Sequence, residues 1–233
     1  RQVFQDKDVC LLHGVTSSGK TEVYTHLIRQ ELEAGRQVLF MLPEIALTTQ
    51  ITSRLGRVFG DKMGVYHPKV PDAERVELWK KQLSPEAFPL ILGVRSSLFL
   101  PYQNLGLIIV DEEHEMSYKQ QDPAPRYNAR DAAIMLARGS GTKVLLGTAT
   151  PAIETYSNAI NGRYGLVEMT IRFGDVCLPE ILVEDVKELK RKKLMKTPFS
   201  PRLTEEIHRA LGDGQQAILF QNRLAQFVVT ESA

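Results

Sequence analysis

Between Val9 and Thr150 one pattern repeats: a short run of almost wholly apolar residues, then a longer stretch with helical spacing. The apolar runs are VCLLHG (9–14), QVLFMLP (37–43), GVYHP (64–68), PLILGV (89–94), LGLIIVDEE (105–113) and KVLLGTAT (143–150). Between them lie KTEVYTHLIRQELEAG (20–35), TTQITSRLGRVFG (48–60), PDAERVELWKKQL (71–83) and ARDAAIMLARGS (129–140). A strand apolar on every residue has no face it can leave in water. Strands of that kind, separated by helices, therefore form a parallel sheet covered on both faces. Composition permits such a core, with 43% hydrophobic residues in 233. Ligands of such sheets gather where the strands end, and every motif considered below follows an expected strand.

The first is Gly14-Val15-Thr16-Ser17-Ser18-Gly19-Lys20-Thr21, a GxxxxGK[ST] loop between a strand and a helix. Glycines let consecutive amides turn inward toward phosphate oxygens. The following helix points its positive dipole end at the same anion. Lys20 reaches the β- and γ-phosphates, and Thr21 offers a hydroxyl to Mg²⁺. In the helix, Val23, Tyr24, Leu27 and Ile28 form the apolar stripe, and Gly35 suits the left-handed position after its end.

The second is Asp111-Glu112-Glu113-His114, about ninety residues after the loop. Asp111 is placed to act as a Mg²⁺ partner, and Glu112 to orient and deprotonate an attacking water. Taken alone, the box also fits an exposed acidic turn. Glu113 reads as a solvated neighbour, and His114 as an ordinary turn or core histidine.

Net charge is +1, from 29 basic and 28 acidic residues, so any nucleic-acid surface must be local. Cys10 and Cys177 sit in no CxxC pair, which gives no zinc site and fits a reducing compartment. With no signal peptide or membrane-length apolar run, the expectation is a cytoplasmic protein. His13, His26, His67 and His208 share no metal-ligand spacing. Trp79 reads as core beside surface Lys80 and Lys81, and Lys190-Arg191-Lys192-Lys193 as a solvated face.

Past Ile153 the pattern changes. YGLVEMT (164–170) and PEILVEDV (179–186) read as strands, KELKRKKLMKTPF (187–199) as basic and poor in core residues. SPRLTEEIHRALG then starts a helix with Ser200 as N-cap and Pro201 at its first position. QAILFQNR (216–223) reads as a strand. The expected organisation is a first lobe at 1–183, a linker at 184–200 and the truncated start of a second lobe at 201–233.

GVTSSGKTEVY, LPEIALTTQ (42–50), GVRSSLFLP (93–101), DEEHEMSYKQQDPAPRYNARDAA (111–133) and GTATPAIET (147–155) resemble successive motifs of the PriA family of primosomal replication-restart helicases, superfamily 2 motors of the DExH type. FSPRLTEEI with AILFQNR is similar to the family's passage into its second motor lobe. The resemblance implies a RecA-like P-loop NTPase domain, a mainly parallel sheet covered by helices on both faces. It implies that residues 14–21 bind ATP, with Lys20, Asp111 and Glu112 catalytic and Thr21 and Asp111 on Mg²⁺. His114, Thr148 and Thr150 would couple nucleotide state to DNA state. Pro43, Glu44, Thr48, Arg95 and Ser96 would hold the DNA backbone, and Tyr118, Arg126 and Tyr127 would belong to an aromatic-rich loop that senses single-stranded DNA. Two tyrosines packed on the domain are the alternative for that loop.

The implied activity is 3′–5′ DNA unwinding at stalled forks. Single-stranded and forked DNA, primosome proteins and single-strand-binding protein are the implied partners, with zinc held elsewhere in the longer family members. Leu224-Ala225 departs from the family pattern after Asn222-Arg223, so 224–233 reads as foreign. Without the second lobe's arginine finger, little turnover is expected from this chain alone. A different superfamily 2 translocase, restriction-type or RecG-like, and a fork-binding scaffold with secondary ATPase are the rival readings.

Overall fold

Leu11 and Leu12 are neighbours in sequence and lie in different cores, the consequence of a strand buried on both faces. The computed structural model describes residues 2–43, 49–67, 70–174, 180–195 and 197–220. It divides into two compact units, Arg1–Val176 and Cys177–Ala233.

The first unit runs α1 (Val3–Asp6), β1 (Val9–Gly14), α2 (Lys20–Glu33), β2 (Gln37–Met41), α3 (Thr49–Phe59), β3 (Met63–Tyr66), α4 (Asp72–Gln82), β4 (Leu90–Gly93), β5 (Leu105–Asp111), α5 (Ala129–Ser140), β6 (Lys143–Thr148), α6 (Ile153–Ile160) and β7 (Gly165–Met169). Seven strands pair in the order β3-β4-β2-β5-β6-β1-β7, parallel at every junction. One core layer takes Val9, Leu11, Leu39, Met41, Ile108 and Val110 from the strands and Ala133, Ile134 and Ala137 from α5. The other takes Cys10, Leu12, Val38, Phe40, Leu107 and Ile109, covered by Tyr24 and Ile28 of α2 and Leu55 and Phe59 of α3. The doubly covered parallel sheet expected from the apolar runs is the one observed.

Gly35 follows α2 at φ +70°, the left-handed conformation expected there. Trp79 corrects the expectation of a core residue: it is 43% exposed on α4. That helix is short of apolar residues, and Leu78 is its side chain that packs against the core.

The second unit holds α7 (Val186–Arg191) and α8 (Pro201–Gly212). Asp185 caps α7 by accepting from the amides of Lys187 and Glu188, which puts helix where the sequence suggested only a basic tract. Ser200 caps α8 by accepting from Leu203 N, with Pro201 at the first turn, as expected. The strands expected at 179–186 and 216–223 do not form within the described residues, where 180–185 and 215–220 are irregular. Ile181, Val183 and Ile218 are exposed there, and an apolar run without a neighbouring strand has no ladder to join. Cys177 and 224–233 lie outside the described residues.

Candidate nucleotide and DNA site

Three adjacent strands, β5, β6 and β1, end side by side, and each ends in one of the sequence motifs. From β1 the loop turns through left-handed Ser17 (φ +64°) and Gly19 (φ +91°) into α2. It is braced from β7 and the segment after it: Val15 N donates to Met169 O at 3.0 Å, and Phe173 N to Ser17 O at 2.9 Å. Lys20 Nζ crosses the loop to donate to Gly14 O at 2.7 Å. The Ser18 hydroxyl is buried without a hydrogen-bond partner. The loop lines a cleft of about 770 Å³, together with Thr21, Glu22, Arg54, Asp111, Glu112 and Phe173.

Asp111 stands at the end of β5, and its Oδ1 accepts from the Tyr24 hydroxyl at 2.8 Å. Burial raises the Asp111 carboxyl to about 6, against the lowering effect of the Tyr24 bond. Tyr24 itself is fully buried, and burial together with the Asp111 charge holds its phenol protonated as a donor. Gly147 of β6 makes the bond possible, because a Cβ there would overlap the Tyr24 hydroxyl. In the sequence Tyr24 is part of an apolar stripe and closes the GVTSSGKTEVY motif, and neither gives it a partner. The available signal was a polar tip on a helix face turned toward the loop's own strand.

In protein free of metal and nucleotide, Asp111 is therefore expected to titrate near pH 6, and Tyr24→Phe to move it higher. A carboxyl ¹³C shift followed through the titration checks this; an Asp111 that titrates near the ordinary aspartate value of 3.8 contradicts it. The folded state takes up this proton more readily than the unfolded chain does. The carboxyl's contribution to stability is thus full below about 3.8 and lost as pH rises through about 6.

Glu112 has φ +47°, a conformation that side-chain-bearing residues rarely adopt. Its Oε2 accepts from Thr148 Oγ1 at 3.3 Å. His114 Nδ1 lies 2.8 Å from the same hydroxyl, Thr150 N donates to it at 3.0 Å, and Thr150 Oγ1 lies 3.4 Å from His114 Nε2. These bonds close consistently when Thr148 donates to Glu112, His114 Nδ1–H donates to Thr148, and Nε2 accepts from Thr150. The three residues assigned to coupling thus form one chain that starts on Glu112.

Glu113 corrects the expectation of a solvated neighbour. It is 1% exposed, its Oε1 accepts from Ala152 N at 2.7 Å, and its Oε2 from Thr155 Oγ1 at 2.8 Å and Arg130 Nη1 at 3.0 Å. No local pattern signals that α5, α6 and the segment before α6 converge on one carboxylate.

Among the residues expected to face DNA, Tyr118 is corrected. Its ring is 1% exposed and its hydroxyl donates to Met41 O at 3.1 Å and Asp111 O at 2.7 Å, so it has no free face for a base. Pro43 is also buried, and Glu44 and Thr48 lie outside the described residues. Arg95 and Ser96, half-buried, begin a 3-10 turn after β4, and Arg95 Nη1 donates to Ser117 O at 2.9 Å. Tyr127, half-buried, meets exposed Phe99 edge-on at 5.1 Å, and Arg126 is exposed. Arg95, Phe99 and the 115–128 loop are thereby brought together. Phe99 lies in the GVRSSLFLP motif, where no pattern marks it as a neighbour of Tyr127.

A family model described as DEAD/DEAH box helicase matches residues 1–159. The chain belongs to that family. Within DEAD/DEAH box helicases it is similar to the replication restart protein PriA of Chlamydia muridarum, 42% identical over 214 residues that make up 92% of this chain and 28% of that one. The Bacillus subtilis PriA is 40% identical over 215 residues, 92% of this chain and 26% of its own. The Rickettsia felis PriA is 44% identical over 214 residues, 91% and 32%. The chain thus spans about a quarter to a third of the length of these relatives.

Among solved structures, RecG bound to a three-way DNA junction matches with TM-score 0.53 at 20% identity, over 89% of this chain and 25% of that one. The Pyrococcus furiosus Hef helicase domain matches with TM-score 0.51 at 16%, over 92% and 52%. The fold is the RecA-like α/β fold of P-loop NTPases.

The donor set fits a nucleoside triphosphate with a divalent cation. Residues 16–21 of the loop, Lys20 among them, line the same cleft as Asp111 and Glu112, and the Ser18 hydroxyl is buried beside it without a partner. Among the described residues no group of three His, Cys, Asp or Glu could hold a metal unaided, and Mg²⁺ bound through phosphates needs only one or two carboxylates. No helix among the described residues is long and apolar enough to cross a membrane.

Proposed function

We propose that this chain is the first motor lobe of an ATP-driven DNA helicase that acts at stalled replication forks in replication restart. The observation that carries the reading is the shared cleft, in which the phosphate loop faces Asp111 and Glu112. Similarity to replication restart proteins over more than nine-tenths of the chain narrows the motor to that kind.

Residues 14–21 hold the phosphates, with Lys20 on the β- and γ-phosphates, and Thr21 and Asp111 hold Mg²⁺. Bound there, the cation neutralises phosphate charge. Glu112 orients and deprotonates the attacking water, and the His114–Thr148–Thr150 chain reports the state of the site. Arg95, Ser96, Arg126 and Tyr127 contact the DNA strand, by charge and by stacking. In this reading residues 1–183 are the first lobe, 184–200 the linker and 201–233 the start of the second. Single-stranded and forked DNA, primosome proteins and single-strand-binding protein are the partners of the whole cytoplasmic protein. It moves 3′–5′ and holds zinc outside this chain.

The test is DNA-stimulated ATPase of the full-length protein with Lys20→Ala. A fall of about 10²-fold or more is expected, from loss of a charge stabilising the transition state; undiminished turnover rejects the reading. Residues 1–233 span about a quarter to a third of the length of the replication restart proteins they resemble and are expected to turn over slowly by themselves, so robust ATPase from them would overturn that point.

A further inference from the structure

Glu112 is the residue of the acidic box whose backbone is strained, and both of its neighbours are pinned. On one side Asp111 is held by the Tyr24 hydroxyl. On the other, the Glu113 amide donates to Gly147 O at 3.2 Å and its carboxylate is shut into the interior with Ala152 N, Thr155 and Arg130. A left-handed conformation at a non-glycine residue persists only where its surroundings hold it. The only cation on Glu113 among the described ion pairs is Arg130, from the first turn of α5. That guanidinium is itself oriented, with Nε on Asp131 Oδ1 at 2.9 Å and Nη1 3.3 Å from Thr155 Oγ1.

We propose that Arg130 is a positioning residue for the reaction: by neutralising and fixing buried Glu113, it holds Glu112 in the geometry that aims its carboxylate. The inference rests on the reading of Glu112 as the group that orients water. Without the guanidinium, a carboxylate 1% exposed is left without its cation and moves outward toward solvent. That change releases the backbone one residue away. The Thr148 hydroxyl that now donates to Glu112 at 3.3 Å loses that acceptor. The phosphate loop, braced separately by Met169 and Phe173, keeps its shape. The loss therefore falls on turnover and spares nucleotide binding.

The experiment measures kcat and KM for ATP in the full-length protein with and without single-stranded DNA, alongside melting temperature. Arg130→Gln should lower kcat by about tenfold or more, since small misplacements of a catalytic group cost that much, with KM near the parent's. Glu113→Gln combined with Arg130→Gln replaces the ion pair by a neutral hydrogen-bonded pair and should recover most of the loss. Arg130→Lys, which keeps the charge without the fork, should fall between; it carries the test if Arg130→Gln fails to fold. Unchanged kcat in Arg130→Gln, a KM that rises in step with the loss, or a double variant no faster than the single one overturns the proposal. A parent with no ATPase overturns both this inference and the proposed function, whereas an active parent with an unaffected Arg130→Gln variant overturns this inference alone.

Discussion

Glu112→Gln in the full-length protein is expected to cut ATP turnover by about 10²- to 10⁴-fold, the range for loss of a general base, while nucleotide still binds. The amide keeps the side chain's shape and its bond from Thr148, so the His114–Thr148–Thr150 chain has the same anchor. It removes only the capacity to accept a proton from water. The phosphate-binding groups lie on a different strand end and do not touch Glu112 in any described hydrogen bond. Equilibrium binding of a fluorescent nucleotide and single-turnover hydrolysis measure the two effects separately. Turnover within about tenfold of the parent would assign the base to another group.

The second large effect is expected at a position with no polar atom in its side chain. Gly147→Ala places a Cβ on the Tyr24 hydroxyl and 2.8 Å from its Cζ, between two fully buried layers. Overpacking of this kind costs about 1–3 kcal/mol, and in a chain of this size each kcal/mol lowers Tm by about 2–4 °C. Tyr24 must swing away, so the Asp111 bond is lost with it. Adding Tyr24→Phe removes the overlapping oxygen and should recover part of the stability, because residues in contact do not contribute additively. Thermal melts of the parent, both single variants and the double variant check the cycle. Gly147→Ala melting with the parent would mean that the close approach does not exist.

These two residues mark how far reading the sequence reaches. The place of Glu112, at the end of an apolar strand and in one cleft with the Gly14–Thr21 loop, was legible because strand and loop are both local patterns of the chain. Gly147 and Tyr24 lie in the motifs GTATPAIET and GVTSSGKTEVY, but neither motif says that they meet: one is a glycine in a strand, the other an aromatic in a helical stripe. Their meeting depends on β6 lying between β1 and β5, an order that no local pattern specifies. Glu113 was misread for the same reason. Strand-end carboxylates are usually solvated, and only the convergence of α5 and the segment before α6 encloses this one. Tyr118 was assigned to DNA through the motif around it, yet its hydroxyl spans the ends of β2 and β5 as part of the core.

The C-terminal misreadings have a different cause. Runs at 179–186 and 216–223 have strand composition, but a strand exists only through its neighbours. Helix α8, whose bonds and N-cap are local, formed where Ser200 and Pro201 placed it.

By itself the sequence determined the alternation of buried strands and helices, and with it a parallel sheet covered on both faces. It also determined the phosphate loop and the acidic box, because short-range patterning and fixed chemical spacing are properties of the chain. Only the tertiary structure decided the strand order that sets Tyr24 against Asp111, the enclosure that turns Glu113 and Arg130 into a buried pair, and which aromatic rings keep a face toward solvent. Those depend on which segments meet in space, where burial and long-range contact assign each side chain its partner.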